Sequence, residues 1–323
     1  GLGFGSCLVW GLSACGGSDG REDDGPTTAS SQTAGDTTDG KMDGLTGSAT
    51  DGGPGTSGAS DDSGSASVTA TATGDSGGTA DSGETGDPPP MALPPVNAGL
   101  DYQLGGAYPP PAGVQIVSRD RNASPEPGLY NICYVNGYQT QPDEEEWWLS
   151  EHPDLILRDA DGNPVIDPDW DEMLLDISTP EKRAALAEIV GGWITGCGAD
   201  GFDAVEIDNL DTYSRSDGLL TQDHAVAFMS LLSQTAHDGG MAIAQKNSAE
   251  IVDRQAELGT DFVVAEECNR WDECQVYTDV YGDAVLVIEY RQQDFDVGCA
   301  AFPGLSIVLR DLDLVPAGDQ IGR

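Results

Sequence analysis

The sequence predicts a (β/α)8 TIM barrel of the α/β class that follows a long disordered, low-complexity tether. Two observations predict the barrel. Apolar strands alternate with helices between residues 173 and 290, and acidic residues stand where several strands end. Such alternation requires a parallel sheet, and a parallel barrel displays its catalytic groups at the carboxyl ends of its strands. A third observation, an abrupt change of composition near residue 97, predicts the tether.

The chain begins with a short apolar segment that ends at a cysteine. Residues 1–14 are mostly apolar or small, and Leu12-Ser13-Ala14 stands directly before Cys15. This pattern resembles a bacterial lipoprotein signal, so we interpret residues 1–15 as a truncated signal peptide and lipobox, with lipidation at Cys15. The alternative is an ordinary cleaved signal with an incidental cysteine. We expect an exported protein, lipid-anchored at the bacterial cell envelope (outer membrane or cell surface) or extracellular.

Residues 16–97 form the predicted linker. They are almost all Gly, Ser, Thr, Asp, Ala and Pro, with one Leu, one Val and no aromatic residue between Gly16 and Pro90. Such a segment cannot bury enough apolar surface to offset the entropy of ordering it. Residues 98–323, in contrast, are long enough for one barrel domain. We expect the only membrane contact to be the lipid anchor.

The net charge of −42 restricts the partners of the domain. The first 97 residues hold 14 acids and two bases, and the remaining residues hold 42 acids and 12 bases. This balance argues against nucleic acid as a partner and permits a cationic polysaccharide substrate. The alternative is that the acidic surface only keeps an exported protein soluble. We expect a monomer.

Nine segments of the domain are candidate strands, one more than a barrel needs. The two terminal candidates, Tyr102–Leu104 and Leu305–Leu309, are the ones we suspect of lying outside it. The other candidates are Val114–Ser118, Tyr130–Val135, Met173–Ile177, Ala204–Ile207, Ala242–Gln245, Phe262–Ala265 and Ala284–Ile288. Thr179-Pro180-Glu181 and Thr221-Gln222-Asp223 predict helix starts.

The cysteines of the domain predict disulfides rather than a metal site. Export places them in an oxidising compartment. Cys268, Cys274 and Cys299 stand near the last strands and are the best candidates for a bridge, whereas Cys133 is interpreted as a small core residue. With no CxxC pattern and three scattered histidines, we expect no metal, and the chemistry described next requires no cofactor.

Polar and ionisable side chains recur where the candidate strands end. They are Asp120, Asn136, Asp176, Asp208, Lys246, Glu266 and Glu289. Burying unpaired charges in a core is costly, so a functional role explains this set better than packing does. The alternative is that a Lys–carboxylate pair only holds loops. Asp208 and Glu266 each end a largely apolar strand, and two acids that face one cleft are the minimal machinery for hydrolysing a glycosidic bond.

Several short segments match one family in order and spacing. They are Tyr102–Gly105, Ile132–Gly137, Leu175–Ile177, Gly201–Asp211, Ala236-His237, Gln245–Asn247, Glu266–Cys268, Asp272–Cys274 and Glu289-Tyr290. On these residues the domain resembles glycoside hydrolase family 114, the endo-α-1,4-polygalactosaminidase-like barrels. The resemblance implies endo-hydrolysis of α-1,4-linked galactosamine polymers, with Asp208 and Glu266 as the catalytic pair.

Within this resemblance we assign Asp208 as the nucleophile and Glu266 as the general acid/base of a retaining mechanism. Glu267 is the alternative to Glu266, since adjacent strand residues face opposite sides. Lys246 is expected to keep Asp208 ionised. Four tyrosines are candidates for sugar platforms, although single aromatic residues more often serve packing: Tyr102, Tyr134, Tyr213 and Tyr290. The expected substrate-binding residues are Asp120, Asn136, Asp176, Asn209, Asp211, Lys246, Glu267, Glu289 and Tyr290.

Two other functions remain open at this point. One is hydrolysis of another α-galactose-type polymer. The other is a surface lipoprotein that binds polysaccharide without cutting it. The presence of both carboxylates favours an enzyme.

Overall fold

The computed structural model describes residues 91–316. The predicted signal peptide, Cys15 and the linker up to residue 90 lie outside this range. Residues 91–97, the end of the predicted linker, lie within it. Pro94 is buried, and the Ala92 carbonyl accepts a hydrogen bond of 2.8 Å from the Tyr130 hydroxyl.

Eight parallel strands form one sheet in which every strand pairs with the next along the chain. The strands are β1 Gly99–Gln103, β2 Val114–Asp120, β3 Tyr130–Asn136, β4 Ala204–Asp208, β5 Ala242–Lys246, β6 Phe262–Glu266, β7 Val285–Glu289 and β8 Ser306–Leu309. β8 returns beside β1, where the Ala98 amide donates to Ser306 Oγ at 2.9 Å. The predicted TIM barrel is therefore confirmed.

Six α-helices accompany the strands of the described part of the chain. They are α1 Glu145–Glu151, α2 Pro180–Asp200, α3 Gln222–Asp238, α4 Gln255–Leu258, α5 Cys274–Tyr281 and α6 Gln292–Ala301. The two predicted helix starts are confirmed: Thr179 accepts from the Lys182 amide before α2, and Thr221 caps α3. Gly201, at φ 96°, ends α2 in the left-handed region. Within residues 91–316 no helix combines the length and apolarity needed to cross a bilayer.

The extra strand candidate is Met173–Ile177, so our suspicion of the two terminal candidates was wrong. Those candidates overlap β1 and β8. Met173–Ile177 instead lies in the β3–α2 segment (residues 137–179), where it makes isolated antiparallel bridges. Leu174 and Leu175 are fully buried on the outer core beneath the helices. A run of apolar residues predicts that a segment is buried, but it does not predict which part of the fold packs against it.

The core has an inner and an outer part, and strand periodicity assigns residues to them. Alternate residues of each strand fill the barrel interior, for example Leu100, Ile132, Val264 and Ile288. The residues between them face the helices. This alternation continues to the strand ends, so it also decides which polar side chains enter the barrel mouth.

Two disulfides are described. Cys268–Cys274 confirms the bridge predicted near the last strands. Cys133 is not a free core residue as predicted: it faces outward from β3 and is bonded to Cys197 of α2, 64 residues away. Closing a loop of this length stabilises the fold by about 4 kcal/mol in the chain-entropy description. Sequence spacing gave no signal for this pair, because their contact depends on how α2 packs on the sheet.

Candidate active site

A buried lysine stands at the centre of the barrel mouth. Lys246 Nζ lies 3.0 Å from Glu206 Oε1, 3.3 Å from Asp208 Oδ1 and 3.2 Å from Glu266 Oε2. It also donates to the Tyr102 hydroxyl at 3.0 Å. The Lys246 side chain is only 2% exposed. Three carboxylates from two strands thus converge on one cation.

The strand pattern explains this convergence. Ala204 and Glu206 face the interior of β4, so Asp208, two residues further on, faces the same way at the mouth. Lys246 and Glu266 are the last residues of the next two strands. Because the carboxyl ends of parallel strands meet at one face of the barrel, these side chains lie together.

Asp208 is held as a carboxylate. Its Oδ2 accepts from the Tyr134 hydroxyl at 2.7 Å, and its Oδ1 accepts from the Asn209 amide at 2.9 Å. Burial alone would raise the pKa of Asp208, but the charge of Lys246 and these hydrogen bonds outweigh burial and lower it. The side chain is 20% exposed and therefore accessible to a substrate.

Glu206 lies beneath Asp208 and has no exposed surface. It accepts from the Tyr102 hydroxyl at 2.5 Å and from Ser118 Oγ at 3.0 Å. Burial raises the pKa of Glu206, against the opposing effect of the Lys246 charge. A group without access to solvent cannot touch a substrate, so Glu206 supports Lys246. No sequence-based prediction included Glu206, although its two-residue spacing from Asp208 on one strand face was a usable signal.

Glu266 is the member of the Glu266–Glu267 pair that enters the mouth. Besides its contact with Lys246, it accepts a short hydrogen bond from the Tyr290 hydroxyl. Its amide donates to Asn247 Oδ1 at 2.8 Å, and its side chain is 26% exposed. Glu267, in contrast, accepts from Arg270 Nη1 at 2.7 Å.

A chain of hydrogen bonds made by asparagine amides connects Asp208 with Glu172. Asn209 Nδ2 donates to Asn136 Oδ1 at 2.9 Å, and Asn136 Nδ2 donates to Glu172 Oε2 at 2.9 Å. Burial raises the pKa of Glu172 to about 7, and the nearby Asp208 and Asp167 charges act in the same direction. No sequence-based prediction included Glu172, since it belongs to the β3–α2 segment and follows no barrel strand.

Two other expected binding residues lie at the rim with partners of their own. Asp120 accepts from the Asn122 amide at 2.8 Å and from Gln141 Nε2 at 3.3 Å. Asp211 accepts two hydrogen bonds of 2.8 Å from Arg215. These contacts hold the loops around the mouth.

Asp176 is not at the end of a barrel strand, contrary to the prediction. It follows the antiparallel run in the β3–α2 segment and pairs closely with Lys182 and Ser178 at the start of α2. Burial opposes ionisation of Asp176, but these hydrogen bonds and the Lys182 charge lower its pKa. Its contacts therefore indicate a structural anchor for α2.

Glu289 also departs from the prediction, because its side chain faces away from the mouth. Ile288 lies inside the barrel and Tyr290 reaches Glu266, so the residue between them points outward. Glu289 Oε1 accepts from the Asn269 amide at 2.9 Å. With the Cys268–Cys274 sulfurs it forms the one described group with metal-ligand spacing, but sulfurs joined in a disulfide cannot act as thiolate ligands.

The hydroxyl groups of the tyrosines donate hydrogen bonds to carboxylates. Tyr134 and Tyr290 donate to Asp208 and Glu266, respectively, and Tyr213 donates to Glu250 at 2.5 Å on the rim. Tyr102 is fully buried, so it is a packing residue, the alternative for this tyrosine, and not a sugar platform. It carries one of the hydrogen bonds that hold Glu206 beside Lys246.

The family model for glycoside-hydrolase family GH114 matches residues 81–323, well over half of the chain. The chain belongs to this family. GH114 membership makes it a glycoside hydrolase, which agrees with two accessible carboxylates that flank a buried lysine at a barrel mouth. The comparison with curated proteins gave no significant match.

Two solved structures are similar to this chain. Ega3 of Aspergillus fumigatus, solved in complex with galactosamine, is 22% identical with a TM-score of 0.56 over 72% of this chain and 98% of its own. The glycoside hydrolase domain of PelA from Pseudomonas aeruginosa is 13% identical with a TM-score of 0.47 over 68% and 96%, respectively. At these identities the likeness to Ega3 establishes the shared fold alone.

Proposed function

We propose that this GH114 protein cleaves α-1,4-linked galactosamine-containing polysaccharide within the chain by a retaining, double-displacement mechanism. The observation that carries the proposal is the pair of accessible carboxylates, Asp208 and Glu266, that share one buried cation, Lys246. Two carboxylates on one cleft are sufficient for glycoside hydrolysis without a cofactor.

The contacts with Lys246 limit the distance between the two carboxylates. Since Asp208 Oδ1 lies 3.3 Å and Glu266 Oε2 lies 3.2 Å from the same Nζ, the two oxygens are at most about 6.5 Å apart. Retaining enzymes place their carboxyl groups at ~5–5.5 Å, and inverting enzymes at ~6.5–9.5 Å. The limit therefore favours retention.

In the first step, a carboxylate oxygen of Asp208 attacks the anomeric carbon as Glu266 gives its proton to the leaving glycosidic oxygen. The carbon–oxygen bond breaks, and a covalent glycosyl–Asp208 ester forms. In the second step, Glu266 takes a proton from water, and the water oxygen displaces Asp208 at the same carbon. The lowered pKa of Asp208 keeps it ionised for the attack.

Galactosamine is the proposed sugar for two reasons. The domain is strongly acidic, and the amino group of a deacetylated galactosamine is cationic near neutral pH, so the mouth attracts it. Ega3, which has the same fold, was solved with galactosamine bound. Hydrolysis of another α-galactose-type polymer is the second candidate, and a polysaccharide-binding protein without activity is the third.

Incubation with three polymers separates these candidates: α-1,4-galactosamine polymer, its N-acetylated form and an α-linked galactan. We expect shorter oligosaccharides from the galactosamine polymer by mass spectrometry. NMR should find the new reducing ends as the α-anomer first, as retention requires. Initial β-anomer would indicate inversion, cleavage of the galactan alone would support the second candidate, and binding without cleavage of any polymer would support the third.

We also propose export and lipid anchoring at Cys15. The support is the Leu12-Ser13-Ala14 sequence directly before the cysteine and the polar segment after it. Expression in a bacterial host behind an export leader without a cysteine of its own, with a labelled fatty acid, provides the test. The wild-type chain should carry label and sediment with membranes, and Cys15→Ala should do neither; equal labelling would refute the proposal.

A further inference from the structure

Glu172 is a partly buried carboxyl at the mouth without a cation to balance it. Its Oε2 accepts from Asn136, and within residues 91–316 its Oε1 accepts no hydrogen bond and no basic side chain forms an ion pair with it. The charge of Arg215 lowers the pKa of Glu172, but Arg215 is already paired with Asp167 and Asp211. A carboxylate desolvated in this way is costly unless something else pairs with it.

Glu172 lies within reach of the reacting centre. Asn136, its hydrogen-bond donor, is the direct neighbour of Asp208 across the β3–β4 ladder. Asn136 is itself fixed by Asn209, whose amide holds Asp208. A short hydrogen-bond chain through Asn209 and Asn136 therefore connects Glu172 Oε2 to Asp208, and Glu172 Oε1 is left to accept from a ligand.

We propose that Glu172 is a specificity-determining residue that binds the ammonium group of the galactosamine unit at or next to the scissile bond. This proposal rests on the proposed function and names the contact that selects an amino sugar. An ammonium offers three donors to a carboxylate and supplies the missing positive charge. A hydroxyl or an N-acetyl group at the same carbon supplies no charge.

The electrostatics of the unliganded site agree with this assignment. Burial and the neighbouring acids disfavour the ionised form of Glu172, with a pKa of about 7. A bound ammonium reverses this effect, since an opposite charge within a few ångströms stabilises the carboxylate. Substrate binding and ionisation of Glu172 are thus coupled.

The test compares kcat/KM on fully deacetylated and N-acetylated galactosamine polymer for wild type, Glu172→Gln and Asp169→Asn. Glu172→Gln keeps an acceptor for Asn136 and the side-chain volume, and melting curves check that it folds. Asp169→Asn removes the same charge from an exposed position three residues earlier on the same segment. Wild type should prefer the deacetylated polymer; Glu172→Gln should lose at least about tenfold of that preference, mainly through KM, and Asp169→Asn should keep it.

The outcomes distinguish this inference from the proposed function. If wild type cleaves neither polymer, the proposed function fails, and the inference fails with it. If wild type cleaves but the preference is absent, is unchanged in Glu172→Gln, or falls equally in Asp169→Asn, the amine contact at Glu172 is refuted while the hydrolase proposal stands.

Discussion

Lys246 Nζ and Asp208 Oδ1 lie 3.3 Å apart, and this pair joins the buried and the accessible halves of the site. The lysine is almost fully buried, whereas the aspartate is partly open to solvent. Burial alone would lower the pKa of Lys246, but Asp208, Glu266 and Glu206 together raise it, so the cation persists. A permanent charge behind Asp208, the proposed nucleophile, keeps this carboxylate ionised without occupying the cleft.

Replacing this lysine is expected to damage both stability and activity. Lys246→Met leaves Glu206, Asp208 and Glu266 without their shared cation, which costs about 3–5 kcal/mol of the free energy of unfolding. Denaturant titration and initial rates measure the two effects. Lys182→Met is the control, since its partly exposed pair with Asp176 is worth about 1 kcal/mol or less. Equal losses in the two variants would contradict a central role for Lys246.

Changing either member of the proposed catalytic pair is expected to abolish most of the activity. Asp208→Asn and Glu266→Gln should each lower kcat by at least about 10²–10⁴-fold. Melting temperatures should stay close to wild type, because two carboxylates still pair with Lys246 in each variant and neither change alters volume much. Glu267→Gln, which loses only the contact with Arg270, is the matched control and should retain most activity. Loss in Glu267→Gln with retention in Glu266→Gln would move the acid/base by one residue.

The raised pKa of Glu172 predicts a pH dependence of stability. Below about pH 4.5 the group is protonated in both states; between about 4.5 and 7 it ionises only in the unfolded chain, so stability falls as pH rises. Glu172→Gln removes this penalty. Its advantage over wild type should be near zero at acidic pH and grow to about 1–2 kcal/mol above pH 7, after allowance for solvent screening. Melting curves at a series of pH values, without substrate, measure it; a constant difference would be inconsistent with the shift.

The two described disulfides should differ in what they support. Replacing both Cys133 and Cys197 by Ala opens the longer loop and should cost about 4 kcal/mol of stability, with little effect on the rate of the folded enzyme. Replacing both Cys268 and Cys274 opens a short loop and should cost about 2 kcal/mol, but it frees the segment directly after Glu266 and should lower kcat. Urea titration and assays below the melting range separate the effects; an opposite pattern would contradict this division.

Much of the site followed from the sequence because the alternation of strands and helices along the chain requires parallel strands. Once the strands are parallel, their carboxyl ends must meet, so Asp208, Lys246 and Glu266 come together whatever the details of packing. The two-residue period also decides that Glu266, rather than Glu267, enters the mouth. Applied to β7, the same two-residue period would have predicted that Glu289 faces outward.

The sequence by itself determined the barrel, the acidic character of the domain and the positions of the proposed catalytic pair. Only the tertiary structure decided that Met173–Ile177 leaves the barrel, that Cys133 meets Cys197, and that Glu172 reaches the mouth. The physical reason is that the spacing of apolar residues along the chain shows which side chains are buried. Which distant residue buries it depends on the packing of long segments, here the one between β3 and α2, whose path no local pattern encodes.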